Sequence, residues 1–472
     1  MPVTLADVSV MLKIKRYTWW LRRSKRKRVT KEQVSEPWLR QRLRGSVLEG
    51  LEWDSFAIKQ IGAEDGSCST VFRIKLLKGG NGVKSIVLKT SPDSTSEMVL
   101  GGCLLRYFQK EVRFLREVSP KLPVRAPACY WSYVDGRTGH FAMLMEDMAP
   151  SLCVNALEFD DSDAFIPEAA MVGLAKLHAK YWQDDEFFDA IRSWAPDMSA
   201  PLYDIIPYLY RRAWPTFFDS VKSLEREDLY DDSVELLGEV LIDLFPLIRA
   251  AEAAGPRTLL HGDAKLANFF FPDRSAAAGA QGVFSMFDWA MVRPGVAGDD
   301  LAYFLSRNLR GPTHRTRFES GMIDVYHRTL VEHGVMDVTR SDIIKQITHG
   351  IVFCFGFMVV SLARELDATG AERRLIGNIL TNNLNMLKEY PCDNYLLELV
   401  EAQLAKTKPL LPRKKLRELC GKLRRRNEYA RIAIQGGSSS IDLKVVAPAL
   451  FAEHSDSHCG STPTSRRVVI AS

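Results

Sequence analysis

The sequence predicts an α+β chain in which a small antiparallel-sheet lobe is followed by a large, mainly helical lobe. Three observations lead there. From Leu48 onward apolar residues alternate with polar ones between glycine-containing turns, the period of half-buried strands. After Pro150 apolar residues recur at helical spacing over 169–182, 233–253, 318–333, 343–363 and 372–389. Between two of those helices stands a strand-loop-strand block, 259–288, in which the chemically informative side chains are concentrated. The expected divisions are a basic arm over 1–47, a sheet lobe over 48–147, a helical lobe over 148–412, and a basic helix with an unstructured, serine-rich tail over 413–472.

The chain of 472 residues is 46% hydrophobic and 26% charged, a balance that fits folded soluble domains and argues against a disordered chain. Its net charge of +5 hides dense basic runs over 13–31 and 414–426. Residues 11–28 hold nine Lys and Arg, no acid, and apolar Leu12, Ile14, Trp19, Trp20 and Leu21. Three readings stand for this segment: a solvated basic arm, a helix lying on a membrane surface, and a nuclear or organelle targeting signal. The basic runs lack interleaved aromatics apart from Tyr17, Trp19 and Trp20, so a nucleic-acid partner is not expected. The eight cysteines show no CxxC pair or regular spacing, which fits a reducing, cytoplasmic setting rather than a disulfide framework or zinc site. The apolar run 351–362 is too short for a membrane span and reads as a buried helix.

Within the sheet lobe, 72–77 and 85–90 are strands joined by Gly79-Gly80-Asn81-Gly82, a hairpin signal. Before them, the turn over 61–67 offers backbone N–H donors at Gly62, Gly66 and Ser67 that suit phosphate, although any glycine-containing hairpin has such a turn. In 86–89 a lysine interrupts a β-branched strand, and Lys89 is expected to leave it toward phosphates. An apolar stripe of Leu104, Phe108, Leu115 and Val118 leads into and along the helix over 106–118, and Glu111 also falls on it. A charge on a buried face needs a partner, and Lys89 is the natural one; Glu117 is the second choice. The strand 141–145 ends at Glu146-Asp147, where the lobes meet.

In the helical lobe, His261-Gly262-Asp263-Ala264-Lys265-Leu266-Ala267-Asn268 lies between apolar Leu259-Leu260 and Phe269-Phe270-Phe271, which suggests a loop held between two buried strands. Phosphoryl transfer needs a carboxylate to orient an acceptor hydroxyl and oxygen ligands for a metal ion on one rigid loop. Asp263 and Asn268, with Lys265 between them, supply that set. Farther on, Asp288 ends an apolar strand and is followed by Trp289, and Gly298-Asp299-Asp300-Leu301-Ala302 precedes a helix. Asp300, ahead of a helix, reads as an N-cap. His178, within Leu174-Ala175-Lys176-Leu177-His178-Ala179, reads as a packed histidine. Trp182, Tyr203, Tyr208, Tyr210 and Trp214 read as core aromatics, an acceptor-pocket lining being the alternative.

The order and spacing of Lys89, Glu111, the 261–268 loop, Asp288 and Asp300 resemble the aminoglycoside phosphotransferase and choline kinase-like superfamily, and within it the ecdysteroid kinase-like, CHK kinase-like subset. The resemblance covers about 51–411. It implies a bilobal protein-kinase-like fold, ATP with Mg²⁺, and direct in-line transfer of a phosphoryl group to a hydroxyl of a small molecule. Residue by residue it implies Asp263 as the group that orients the hydroxyl and Lys265 as a charge partner of the moving phosphoryl group. Asn268 and Asp288 are implied as metal ligands, Lys89 with Glu111 as the phosphate-binding pair, Asp300 as a support behind the loop, and Glu146 and Met148 as part of the hinge beside the adenine. Trp289 stands where protein kinases have Phe-Gly, which points away from a regulated protein kinase. His-Gly-Asp replaces the His-Asn-Asp usual in choline kinases, so choline is not the expected acceptor. A nucleotide-binding scaffold without transfer activity and a kinase with a protein acceptor are the competing functions.

Overall fold

A five-stranded antiparallel sheet forms the first lobe: β1 (Ser55–Ile61), β2 (Thr70–Leu77), β3 (Ser85–Thr90), β4 (Cys129–Val134) and β5 (Phe141–Glu146), in the order β1-β2-β3-β5-β4. The computed structural model describes residues 5–23, 28–62, 69–77, 83–92, 97–149, 152–153, 164–223, 231–271, 284–309, 311–362 and 370–436. The expected hairpin strands pair in register, with Lys89 opposite Val71 on one side and Met143 on the other; the turn 79–82 and residues 63–68 lie outside the described residues. Strand alternation decides what each β3 side chain meets. Ile86 and Leu88 face a cluster built from the N-terminal segment, whereas Val87 faces the side on which the helix bearing Glu111 packs. Lys89 shares the parity of Val87, which sends it toward that helix.

The first fifty residues are not merely an arm. Helix α1 (Leu5–Arg23) places Val10 against Ile205 and Tyr208, while Leu12 and Trp19 are exposed. Helix α2 (Glu36–Leu43), capped by Ser35, buries Leu39 and Leu43 with Val34, Leu48, Leu51 and Trp53 on the outer face of the sheet. Arg40 lies 4.3 Å over the Trp53 ring, and Trp38 meets Trp131 edge-on at 5.5 Å. The basic residues hide this cover in the sequence, because Arg stems pack along apolar surface while their charged heads stay wet.

On the inner face lie α3 (Glu97–Leu104) and α4 (Tyr107–Glu117), the latter burying Phe108, Glu111, Val112, Phe114 and Leu115. The second lobe contains α5 (Phe165–Lys180), α6 (Asp185–Ile191), α7 (Ile206–Lys222), α8 (Asp232–Ala254), α9 (Gly298–Asn308), α10 (Pro312–Glu332), α11 (Arg340–Leu362), α12 (Gly370–Glu389), α13 (Cys392–Ala405) and α14 (Arg413–Gly436). Short strands stitch the block between α8 and α9. One small sheet has the order β6-β8-β9, with β6 (Leu152–Cys153), β8 (Phe269–Phe271) and β9 (Ser285–Met286); a second pairs β7 (Thr258–Leu260) with β10 (Arg293–Gly295).

Helix α11 is long and apolar enough to cross a membrane by length and composition, yet most of it is buried within the protein. Its crossing with α9 is close: a Cβ on Gly298 would come within 1.9 Å of Gln346 O, and one on Gly350 within 2.2 Å of Gly298 O. Only glycine fits at both places, and that fit sets the start of α9, from which Asp300 projects. Helix α14 is part of the lobe rather than an appendage after 412. It buries Leu416, Leu419 and Leu423, and its Arg426 donates to Ser233 O at 2.8 Å and pairs with Asp393. The tail predicted beyond it, 437–472, lies outside the described residues.

Candidate active site

The loop between β7 and β8 turns at Gly262, whose φ is +81° and where a Cβ would lie 2.4 Å from Met291 O. Glycine is therefore required by both conformation and space. The turn presents Asp263, whose carboxylate is held from three sides. Tyr303 donates its hydroxyl to Oδ1 at 2.6 Å, Asn268 donates Nδ2 to Oδ2 at 2.8 Å, and Lys265 Nζ stands 3.1 Å from Oδ2. Burial alone would raise the pKa of this carboxyl, but the Lys265 charge and the Tyr303 hydroxyl more than offset it and hold the group well below the usual carboxylate range. Asp263 in turn raises the pKa of Lys265.

Behind the loop, Asp300 accepts from His261 N at 2.7 Å and Gly262 N at 2.8 Å, and His178 Nε2 contacts it at 3.2 Å. Ala297, not Asp300, is the N-cap of α9. Asp300 thus braces the loop from behind, as the resemblance implies, and does not cap the helix. The same helix supplies Asn308, which accepts from Leu266 N at 2.7 Å and donates to Ala264 O at 3.2 Å. His261 is buried, its protonated form disfavoured chiefly by that burial. The proton sits on Nε2, which donates to Phe287 O at 2.9 Å, leaving Nδ1 to accept from Asp263 N at 3.3 Å. His178 is fully buried against the Tyr326 hydroxyl at 2.8 Å, the packed histidine its sequence context suggests. Replacing Asp300 with Ala strands the buried His261 N–H and the half-buried Gly262 N–H and should cost about 3 kcal/mol of stability, measurable as a lower urea midpoint at unchanged slope.

Asp288 follows β9 in the left-handed region at φ 62°, a conformation uncommon for a residue other than glycine. The next residue explains how it is held: Trp289 is fully buried, stacked on Phe114 of α4 at 4.2 Å and packed 4.5 Å from the His261 ring. Asp288 Oδ1 lies 3.0 Å from Lys89 Nζ, and Lys89 Nζ lies 2.7 Å from Glu111 Oε1. Burial disfavours the Lys89 ammonium, yet Asp288 and Glu111 outweigh it and keep the lysine charged. Glu111 shows the opposite balance, pushed up to about 7 by burial and by Asp288 despite Lys89. Glu117, the second choice for the lysine, is exposed and pairs with Arg113 at 2.8 Å.

The remaining sequence-predicted positions are less constrained. Gly62 ends β1 with φ +60° and open space around it; Gly66 and Ser67 lie outside the described residues. At the end of β5 the Glu146 side chain pairs with Arg125, and its amide donates to Ala128 O at 2.9 Å. That amide is committed to the sheet, while Met148 is buried two residues on. Tyr203, Tyr208, Tyr210 and Trp214 are buried in helix packing and Trp182 is half-buried, as core residues.

Sequence reasoning missed Tyr303 and Asn308. Their spacing from Asp300 held the signal, since positions three and seven or eight residues apart share one helix face. It also missed a buried cluster in which Arg293 pairs with both Glu252 and Asp299, while His349 stands 3.7 Å from Asp299. Glu252, Asp299 and His349 are near enough to one another for a metal, but the Arg293 guanidinium already bridges both carboxylates. The cluster is structural.

No curated protein matches the chain. Among solved structures it is similar to a Plasmodium vivax ethanolamine kinase, with TM-score 0.43 and 14% identity over 70% of this chain and 80% of that one. It is also similar to a choline/ethanolamine kinase family protein from Mesorhizobium loti, with TM-score 0.38 and 13% identity over 77% of this chain and 98% of that one. An aminoglycoside 2'-phosphotransferase bound to GDP matches with TM-score 0.41 and 15% identity over 70% and 94% of the respective chains. The model of the ecdysteroid kinase-like family matches residues 63–336, more than half of the chain and the whole segment from Lys89 to Asp300. The chain therefore belongs to the ecdysteroid kinase-like family and is, at that level of description, a small-molecule phosphotransferase of the protein-kinase-like fold.

Proposed function

We propose that this protein transfers the γ-phosphoryl group of ATP directly to a hydroxyl of a small organic molecule, using Asp263, Lys265, Asn268, Asp288 and the Lys89–Glu111 pair. The observation that carries the reading is the 3.0 Å contact between Lys89 and Asp288, which joins the sheet lobe to the block bearing the 261–268 loop. Phe287 N donates to Asn268 O at 3.0 Å, which sets Asp288 beside the end of the loop that begins at Asp263.

The donor set fits a magnesium ion. Asn268 commits its Nδ2 to Asp263 O and Oδ2, which leaves Oδ1 as its ligand atom, and Asp288 adds a carboxylate; Mg²⁺ takes such hard oxygens together with phosphate oxygens. When bound, the ion would neutralise charge on the β- and γ-phosphates. Lys89, kept ionised by two carboxylates, is suited to replace part of its pairing with Asp288 by a nucleotide phosphate. Asp263 accepts a hydrogen bond from the acceptor hydroxyl and aligns its oxygen for in-line attack on the γ-phosphorus; the bond to the bridging oxygen breaks, ADP leaves, and the hydroxyl proton passes by way of Asp263 to the phosphate product or solvent. Lys265 offsets charge that builds on the transferred group. Tyr303 and Asn268 keep the Asp263 carboxylate from rotating.

Because Asp263 is held below the usual carboxylate range, it is ionised throughout neutral pH. The profile of kcat against pH should therefore show no acidic limb from this group between about pH 5 and 8. A limb in that window that disappears in Asp263→Asn would contradict its assignment. The activity is tested by incubating the protein with γ-labelled ATP, Mg²⁺ and a fractionated metabolite extract, then identifying the labelled product. Label on a small alcohol is expected; label only on protein, or none above a boiled control, would reject the proposal.

A further inference from the structure

Helix α9 brings one more side chain beside the loop. Arg307 is partly buried, and its guanidinium carbon lies 4.4 Å over the ring of Tyr303 and 5.4 Å over that of Phe357 from α11. Those two rings are themselves 5.9 Å apart. Tyr303 is the residue that donates to Asp263, so Arg307 stands one aromatic ring away from the carboxylate that receives the acceptor hydroxyl. It is also close enough to lower the proton affinity of Lys265 and of Tyr303.

The pairing of charges around it is uneven. Lys89 is matched by Glu111 and Asp288, and Lys265 by Asp263. Arg293 is matched by Glu252 and Asp299, and Arg315 by Glu319 and Glu389. Arg307 has no carboxylate partner and no hydrogen-bond acceptor among the described residues; it is held by the faces of two rings. A partly desolvated guanidinium normally finds a carboxylate, because its fork of N–H donors is costly to leave unmatched and matches a planar anion well. Aromatic faces hold the cation in place without consuming those in-plane donors.

We propose that Arg307 is a specificity determinant for the acceptor: it receives a carboxylate or similar planar anionic group of the molecule whose hydroxyl sits at Asp263. The substrate class is then a hydroxylated organic acid. Alcohols bearing an ammonium group are disfavoured, since Lys265 and Arg307 flank the hydroxyl position with positive charge. Phe357, half-buried beside the guanidinium, suits an apolar or aromatic body between the two polar ends. The inference rests on the phosphotransfer reading in one respect, that the acceptor hydroxyl lies at Asp263.

The test uses the full chain and three matched probes: 4-(hydroxymethyl)benzoate, benzyl alcohol and 4-(hydroxymethyl)benzylamine. Equilibrium binding is followed by ligand-observed NMR, in parallel with titration of a fluorescent Mg-ATP analogue. The carboxylate should bind about tenfold or more tightly than the amine, a difference of about 1.4 kcal/mol. Arg307→Gln should erase that preference and Arg307→Lys should restore part of it. The ratio between probes is the readout, because a merely structural loss would weaken all three together. Equal binding, an amine preference, or a carboxylate preference that survives Arg307→Gln would overturn the inference. So would a loss of nucleotide affinity in Arg307→Gln without any change in probe preference, which would place the cation on the phosphates instead. If the nucleotide analogue fails to bind the unaltered chain while the Arg307-dependent preference holds, the phosphotransfer reading fails and the anion site stands.

Discussion

Asp263→Asn is expected to lower turnover by roughly 10³-fold or more while leaving affinity for Mg-ATP within about threefold. The substitution is a clean one because the neighbours can accommodate it. An amide whose oxygen takes the place of Oδ2 still accepts from Asn268 and Lys265, and its nitrogen can donate to the Tyr303 hydroxyl, which accepts as well as donates. Shape and packing are kept, and what disappears is the negative charge that draws the acceptor hydroxyl into line. Steady-state kinetics with labelled ATP, alongside titration of a fluorescent nucleotide, separates the two quantities. Turnover within about tenfold of the unaltered protein would remove Asp263 from the reaction.

Asp288→Asn should have a comparable effect by a different route. It removes one of the two carboxylates that keep Lys89 ionised, since Asp288 and Glu111 together outweigh the burial of that lysine. It also removes the strongest of the proposed metal ligands. Turnover at saturating ATP should fall by about 10²-fold or more, and the Mg²⁺ concentration for half-maximal activity should rise by about tenfold. Glu111 responds in a second measurable way. Asp288 is one of the two influences that raise its pKa to about 7, burial being the larger, so loss of that charge should strengthen the Lys89–Glu111 pair. An unchanged magnesium requirement would argue that Asp288 serves the lysine alone.

Much of this site is readable in the chain because its parts obey strong local rules. Glu111 lies on an otherwise apolar stripe, and a buried charge demands a partner, which made Lys89, 22 positions earlier, legible. The five helices read from periodicity are present because each buries an apolar face against others in the same lobe. Where the rules are weaker, the reading stops. Helix α7 opens with Pro207 and carries Pro215 in its interior, residues that read as helix breakers, although its apolar residues keep helical spacing. The segments 29–53 and 413–436 look polar by composition, yet a few buried leucines among basic residues are enough to pin both to the fold. Tyr303 and Arg307 lay hidden for a further reason. Each is an ordinary helical residue whose meaning arises only when the close Gly298–Gly350 crossing sets α9 beneath the loop.

The central claim is that Lys89, Asp263, Asn268 and Asp288 serve a single triphosphate and its metal. The most direct measurement is a crystal structure with a non-hydrolysable ATP analogue and Mn²⁺, with the ion located from its anomalous signal. The account predicts manganese between Asn268 Oδ1 and the Asp288 carboxylate, Lys89 Nζ on a phosphate oxygen, and the terminal phosphate facing Asp263. Manganese among Glu252, Asp299 and His349, or a nucleotide bound away from the 261–268 loop, would contradict it.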